Sequence, residues 1–334
     1  MASTVIVIGA TGNLGTAVLE RLAPRDDLRV VACARRMPQA DGGVDRVTYR
    51  SVDLTADDFD EVVRGADAVV DLAWAIQPMR DPRRTWEINT GGLRRLTEAL
   101  ARAEVPTLVY ASSIGTYAAA DDDVRHDETW PPAGLGHVPY SAQKAYDEAM
   151  LDAFEALTNC RVVRLRPGLV LQRAAGSEYE GLFLGRTGRA AIGLLRALHL
   201  PVPLPRGLRF AVVAAADVAR AVERALDLPD AHGAFNLAAE PPIRVDDLAE
   251  ALGVGTVHVP WRVLRAVVRV GFAGRLVPLE PAWVDMIRWS SLLDTSRARD
   301  VLGWRPEVDA RSALADAVGG VLRGDDAATP PLDR

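Results

Sequence analysis

Residues 5–15 read VIVIGATGNLG. Four β-branched residues in succession, Val5 to Ile8, specify a buried strand, and the periodic stretch behind the glycines to about Leu22 specifies a helix. Gly9, Gly12 and Gly15 fall at the strand-to-helix turn. Gly9 permits the tight turn, Gly12 lets backbone approach a pyrophosphate with no Cβ in the way, and Gly15 lets the helix lie close on its strand. The helix N-terminus then faces the phosphates, because its first N–H groups are unsatisfied. The stretch thus predicts a dinucleotide cradle formed by Gly9, Thr11, Gly12, Asn13, Leu14 and Gly15. Three glycines alone also make a plain tight turn; the strand before and the helix after favour the cradle.

Moving outward, strand-like runs at Leu28 to Ala34, VTYRSVDL (47–54), Val69 to Leu72, Leu108 to Ala111 and Arg161 to Leu165 alternate with helical stretches at Phe59 to Val63, Asn89 to Ala103 and Tyr140 to Leu157. That alternation predicts an α/β fold, a Rossmann-type doubly wound parallel sheet whose strand C-terminal ends share one ligand edge. Past Leu169 the alternation weakens, which predicts a smaller C-terminal substrate lobe. Residues 1–168 are read as the nucleotide-binding domain and 169–323 as mainly the lobe, with parts of 208–240 returning to the first domain. A helix is expected at Asp217 to Leu226, a strand at Ala234 to Leu237, and a strand-turn-helix at Pro241 to Leu252. The stretch SEYEGLFLGR (177–186) is a candidate lid, and 324–334 a loose tail.

Composition narrows the classes. With 49% apolar and 25% charged residues, the 334-residue chain has an ordinary globular make-up, and its net charge of -6 gives no basic footprint for nucleic acid. Cys33 and Cys160, the two cysteines, each sit in a predicted strand and read as small apolar fillers in a reducing, cytoplasmic setting. The five histidines show no ligand spacing, so no metal site is expected. The apolar start is too short for a membrane span. The apolar stretch Trp261 to Leu276 is broken by Arg262, Arg265, Arg269 and Arg275, a pattern for a helix covering a cleft or a subunit face. No membrane partner is expected.

The end of the second strand bears on the nucleotide. A site for NAD usually has Asp or Glu there to bind the ribose diol. Here it runs Cys33-Ala34-Arg35-Arg36, and two guanidinium groups suit a 2'-phosphate, so NADP(H) is favoured, with NAD(H) left open. Asp53 with Leu54 can meet the adenine; alternatively Asp53 caps the following helix. Trp74 follows the strand end Asp71-Leu72-Ala73, where a side chain faces either the cleft or the packing.

The chemistry is carried by Tyr140-Ser141-Ala142-Gln143-Lys144, which opens a helix. Tyr140 and Lys144 are four apart and share a helical face. An ammonium beside the phenol favours its ionised form, which a tyrosine needs in order to act as acid or base near neutrality. Tyr110-Ala111-Ser112-Ser113 closes a strand and brings Ser113 to the ligand edge, to bond the reacting oxygen. Asn89 reads either as a helix N-cap or as a group that positions water or backbone near Lys144 for proton relay.

On these residues the chain resembles the extended short-chain dehydrogenase/reductases of the NAD(P)-dependent epimerase/dehydratase superfamily. The matching pieces are GATGNLG, Asp53-Leu54, Asp71-Leu72-Ala73, Asn89, YASSIGTY (110–117), YSAQK (140–144), Arg166-Pro167-Gly168, Leu208-Arg209-Phe210, Ala216-Asp217-Val218-Ala219 and Gly303-Trp304-Arg305-Pro306. The resemblance implies that Tyr140 is the general acid/base, Lys144 its partner and ribose ligand, Ser113 the serine on the reacting oxygen, and Asn89 a fourth member. It also implies that Leu72, Ala73, Trp74 and Ala111 line the cofactor, and that Pro167 and Gly168 lie on its nicotinamide side. Trp74, Ser113, Tyr117, Trp130, His137, Tyr179 and Arg209 are the substrate-side candidates, with Arg209 placed to hold a diphosphate. Homodimerisation through the helices containing residues 89–103 and 140–157 is implied, with a monomer left open.

Three departures qualify the resemblance. Ser113-Ile114-Gly115 stands where 4,6-dehydratases carry Thr-Asp-Glu, which discounts elimination of water. Arg166-Pro167-Gly168-Leu169 replaces the Asn-Val-Tyr-Gly-Pro type segment of sugar epimerases, and Tyr117-Ala118 replaces Tyr-Gly. The expected function is therefore an NADP(H)-dependent oxidoreductase interconverting a carbonyl and a secondary alcohol on a small molecule. The alternative is a nucleotide-sugar epimerase with tightly held NAD(P) and a transient ketone. A non-catalytic dinucleotide sensor is the remaining reading.

Overall fold

The structure is a computed structural model that describes residues 2–38, 44–76, 81–185 and 188–325. The first half is built from β1 (Ser3–Ile8), α1 (Asn13–Leu22), β2 (Leu28–Ala34), β3 (Thr48–Ser51), α2 (Phe59–Val63) and β4 (Ala68–Asp71). There follow α3 (Pro82–Trp86), a π-helical turn over Glu87–Gly91, α4 (Gly92–Arg102), β5 (Thr107–Ala111), β6 (Arg125–His126), α5 (Pro139–Leu157), β7 (Arg161–Pro167) and β8 (Leu169–Leu171).

Seven strands make one sheet. β1 pairs in parallel with β2 on one side and β4 on the other; β3 lies beyond β2, and β5, β7 and β12 (Gly233–Leu237) continue beyond β4. The order reverses between β1 and β4, which opens a crevice above their C-terminal ends. This is the expected doubly wound, Rossmann-type arrangement, and the returning strand at Ala234 to Leu237 joins the sheet edge as β12.

Each sheet face is covered by helices. On one, Val5, Val7, Val30 and Val70 pack with Val18, Leu19 and Leu22 of α1 and Val218, Ala221 and Val222 of α8 (Ala215–Asp227). On the other, Ile6, Ile8, Val69 and Leu108 pack with Val62, Leu96, Leu100 and Leu151 of α2, α4 and α5. Alternate residues of β1 feed opposite faces, as period-two strand geometry requires, and both faces are apolar because both are covered. Cys33 and Cys160 are buried and unpaired.

After β8, short elements pack around a third cluster. They are α6 (Gly176–Tyr179), α7 (Gly188–Ala197), β9 (Val202–Pro205), β10 (Arg209–Phe210), β11 (Val212–Ala214), β13 (Ile243–Arg244), α9 (Val245–Leu252), β14 (Thr256–Val259) and α10 (Trp261–Ala273). α11 (Pro281–Trp289), β15 (Leu292–Leu293), α12 (Ser296–Val301) and α13 (Ala310–Arg323) complete the chain. Leu171, Tyr179, Val212, Ile243, Leu314 and Ala317 form the cluster's centre. α10 turns Val263, Val267 and Val270 outward while Arg265 pairs with Asp285. The expected loose tail is ordered at its start: Gly324 caps α13 in a left-handed conformation and Asp325 bonds Arg173 and Arg323. The rest of that tail, and Arg186 of the lid candidate, lie outside the described residues. No helix among the described residues is long and apolar enough to cross a membrane.

Candidate active site

The glycine turn has the geometry of a phosphate cradle. Gly9 sits at φ +79°, and a Cβ there would stand 2.7 Å from the Ala73 amide nitrogen, so only glycine lets the turn lie against the end of β4. A Cβ on Gly15 would overlap the Gly9 carbonyl oxygen. Gly12 is the N-cap of α1 and offers no side-chain cap, leaving the amides of the first turn to an external acceptor. Asn13 donates to the Tyr179 hydroxyl at 3.0 Å, while its own Oδ1 is buried without a protein partner. An uncapped helix N-terminus of full length, a Cβ-free approach and an orphaned buried acceptor together fit a dinucleotide.

Arg35 and Arg36 lie directly beyond β2, as expected. Asp53 accepts from the Thr55 amide at 2.8 Å and the Thr55 hydroxyl at 2.6 Å, which hold its carboxyl below the usual range. It forms a local turn; the N-cap of α2 is Asp58, which accepts from the Asp60 amide. Leu54 touches the start of α4 at Gly92.

Tyr140 enters on the first turn of α5, where Pro139 at the helix start presets the backbone. Its ring lies against Gly115, where a Cβ would come within 2.7 Å of the phenol. Trp74 meets it edge-on at 5.6 Å between ring centres and Trp283 packs at 5.0 Å. Burial pushes the phenol up to about 12, and a hydrogen bond with Ser113 opposes the rise. Lys144, four residues on, makes its hydrogen bonds elsewhere.

Lys144 instead points into the protein. Its Nζ donates to the Ala111 carbonyl at 2.7 Å and the Tyr110 hydroxyl at 3.1 Å, and lies 3.4 Å from the centre of the Trp74 ring. Burial pulls its pKa well below the ordinary lysine range, while the carboxylates of Asp147, Asp71 and Glu148 oppose that shift. Glu148 is itself buried, bonded by Arg166 through two nitrogens and by the Ser112 hydroxyl. Arg166 continues to the Tyr117 hydroxyl at 2.9 Å, which donates to Asn236 at 2.6 Å.

The remaining candidates separate. Ser113, Tyr140, Lys144 and Trp74 converge above β4 and β5. Asn89 is neither an N-cap nor bonded to Lys144: it lies in the π-helical turn, where its amide clamps both backbone groups of Ala75 and donates to Gln143 at 2.9 Å. It therefore fixes the loop that carries Trp74. Tyr179 serves the glycine turn and the end of β8, accepting from the Gln172 amide at 3.0 Å. Tyr117 is closed into the core. Trp130 stacks on His126 and donates to Ala118, and His137 lies 3.6 Å from Asp285. Arg209 is buried with its nitrogens committed to the carbonyls of Ser290 and Ala120 and to Asp123. Pro167 closes β7, and Gly168, packed against the Ala211 carbonyl, follows it.

Two residues next to Tyr140 escaped the sequence reading, Trp283 and Met286 of α11; Phe183, from the lid candidate, meets the Trp283 ring at 6.1 Å. No local pattern marks them, since they reach the site only through long-range packing. Asp147 could have been found, because it stands three residues after Lys144 on one helix.

The sequence profile described as the NAD dependent epimerase/dehydratase family matches residues 5–238. The chain belongs to that family. It is 24% identical over 324 residues to a UDP-glucose 4-epimerase of Streptococcus mutans, spanning 91% of this chain and 92% of the relative. An L-arabinose 1-dehydrogenase (NAD(P)(+)) of Haloferax volcanii is 28% identical over 177 residues, 50% of this chain and 67% of that protein. Among solved structures, the Thermus thermophilus UDP-glucose 4-epimerase complex with NAD superposes with a TM-score of 0.70 at 26% identity, covering 96% of this chain and 99% of the other.

The Glu148–Arg166 pair yields a stability prediction. Glu148→Gln leaves a buried guanidinium without its counter-charge, so urea unfolding should show a loss of about 3–5 kcal/mol. Tyr117→Phe, which removes one hydroxyl from the same network, should cost about 1 kcal/mol.

Proposed function

We propose that this family member is an epimerase of a nucleotide-activated sugar, acting through transient oxidation of a secondary alcohol. The observation that carries the reading is the convergence of Ser113, Tyr140 and Lys144 beside the phosphate cradle, on a chain aligned with a UDP-glucose 4-epimerase along nine-tenths of both lengths. It replaces the net oxidoreductase expected from sequence as the leading reading.

The bound dinucleotide supplies hydride acceptance and return. The protein does the rest. Ser113 orients the reacting oxygen and Tyr140 removes and restores its proton. Lys144 binds ribose hydroxyls, and turning the freed sugar would expose either face to the same tyrosine. Such positioning of acid, base and substrate is the protein's share of the chemistry. Asn89 acts on this site through the Trp74 loop.

A net carbonyl/alcohol oxidoreductase is the second reading. Trp74, Trp283 and Met286 give Tyr140 an apolar, largely aromatic wall with few partners for sugar hydroxyls. The two readings separate on one assay. The purified protein, given UDP-glucose, should form the epimer with no net change in nicotinamide absorbance; turnover of an apolar ketone with stoichiometric NADPH consumption would favour the second. In either case Tyr140→Phe should lower turnover by about 10²-fold or more while leaving nucleotide affinity within about twofold. Near-normal turnover would remove Tyr140 from the chemistry.

For the cofactor, Arg35 and Arg36 support NADP(H), although the similar Thermus thermophilus enzyme is in complex with NAD. Replacing both with Ala should weaken NADPH binding at least about tenfold and NADH binding little, since charge-assisted hydrogen bonds to a phosphate are worth about 1.5–3 kcal/mol each. Equal loss for both nucleotides would reverse the preference. The exposed pair Trp86, at the end of α3, and Tyr146 of α5, in contact at 5.2 Å between ring centres, supports pairing of two copies on the face that carries α5. Light scattering should give twice the chain mass, and Tyr146→Asp should return the monomer.

A further inference from the structure

Lys144 is the sole lysine in the chain; every other cationic side chain of the Lys/Arg class is arginine. The two differ where a charge must be compact and able to lose its proton, because guanidinium stays charged and an ammonium need not. The surroundings of Lys144 bear on that difference. Its ammonium donates to the Tyr110 hydroxyl at 3.1 Å, and the same hydroxyl donates to Asp147 Oδ2 at 3.0 Å. Lysine, tyrosine and aspartate thus form one directed chain, from α5 to β5 and back to α5 three residues on. All three residues are buried.

We propose that Asp147, acting through the Tyr110 hydroxyl, fixes the position of Lys144 and keeps it charged, making Asp147 and Tyr110 positioning residues for the lysine. The inference rests on the reading of Lys144 as the ribose ligand and goes beyond it to how that ligand is held. Asp147 is the right group for the task. Glu148 also favours the charged lysine, but its oxygens are already bonded by Arg166 and Ser112. Asp71, at the end of β4, is also raised by burial and accepts from the Ala73 amide, but no hydrogen-bonded chain joins it to the lysine. Tyr140, on the same helix, is neutral. Trp74 lies over one side of the ammonium and offers it a ring face but no counter-charge.

The sign of the effect follows. Burial lowers the lysine's affinity for its proton and the nearby carboxylates restore part of it. Neutralising Asp147 removes a restoring charge, so Lys144 should lose its proton at a lower pH. Tyr110→Phe leaves that charge but breaks the chain, so a smaller shift in the same direction is expected.

A single lysine makes the test direct. Protein grown with 13Cε-labelled lysine gives one side-chain signal, whose shift against pH titrates Lys144 alone. Asp147→Asn should move that titration down by about one pH unit, the order expected when one close counter-charge is lost, and Asp147→Glu should restore most of it. NADPH affinity, followed by tryptophan fluorescence over the same range, should fall in step with the lysine's charge in each protein. An unmoved titration in Asp147→Asn overturns the proposal. Should that variant fail to unfold cooperatively, Tyr110→Phe decides instead, and an unmoved titration there overturns it equally. If the titration moves while NADPH affinity stays flat with pH, the positioning holds and the assignment of Lys144 to the cofactor falls.

Discussion

Helix α5 lies on the sheet with Ser141, Gln143, Lys144, Asp147 and Glu148 all buried, and the interior beneath it is organised around satisfying them. Ser141 bridges the Gly115 carbonyl and the Leu135 amide, each at 2.6 Å, tying the loop after β5 to the loop before α5. Gln143 reaches Asn89 and Thr85, which secures the π-helical turn. Lys144 and Asp147 share Tyr110, and Glu148 takes Ser112 and Arg166. Each partner belongs to a different segment, so one helix fixes the relative positions of β5, β7 and the loops that border the crevice. A buried polar group without a partner is costly, and this gives the arrangement one register.

Two of the buried cations of this region, Arg166 and Lys144, are treated differently. Arg166 receives a carboxylate in fork geometry and a phenol, and the charge is fully matched. A pair of that kind holds structure and has nothing left to offer a ligand. Lys144 receives a carbonyl, a hydroxyl and an aromatic face, with its nearest counter-charges one group removed. An ammonium so held remains responsive to what enters beside it, which is the property a proposed ribose ligand needs.

The sheet was legible because covered parallel strands leave uninterrupted apolar runs. Leu28 to Ala34 and Phe59 to Val63 read from sequence with the bounds observed, and β1 and β5 differ only at their starts. Ser113, Tyr140 and Lys144 were found because each sits at a fixed offset from a strand end or on one helical face. The partners were not found, for physical reasons. Periodicity cannot distinguish a polar stripe facing water from one facing satisfied partners, so Glu148 carried no mark, and Asp147 was marked only by its helical spacing to Lys144. Tyr117 and Arg209 lie in segments that suit a cleft, yet their polar atoms go to Asn236 and Arg166, and to the carbonyls of Ser290 and Ala120. Trp283 is separated from Tyr140 by most of the second half of the chain, and only tertiary packing brings the rings together.

Trp74 is where these constraints meet. Its ring covers the Lys144 ammonium on one side and touches Tyr140 edge-on, while its backbone follows the strand end that closes on Gly9. The next residue, Ala75, is clamped through both its amide and its carbonyl by Asn89, which is itself held by Gln143 of α5. The loop after β4 therefore cannot shift without disturbing the glycine turn, the proposed ribose ligand and the proposed acid/base together. Rigid loops of this kind suit a site whose chemistry depends on fixed distances. The buried, unpartnered indole Nε1 of Trp74 is the exception, a polar atom left unsatisfied on a side chain otherwise held on both faces. An acceptor brought by a ligand into this crevice would satisfy it, so the aromatic wall that sets the apolar character of the site also carries a donor for a polar group on what binds there.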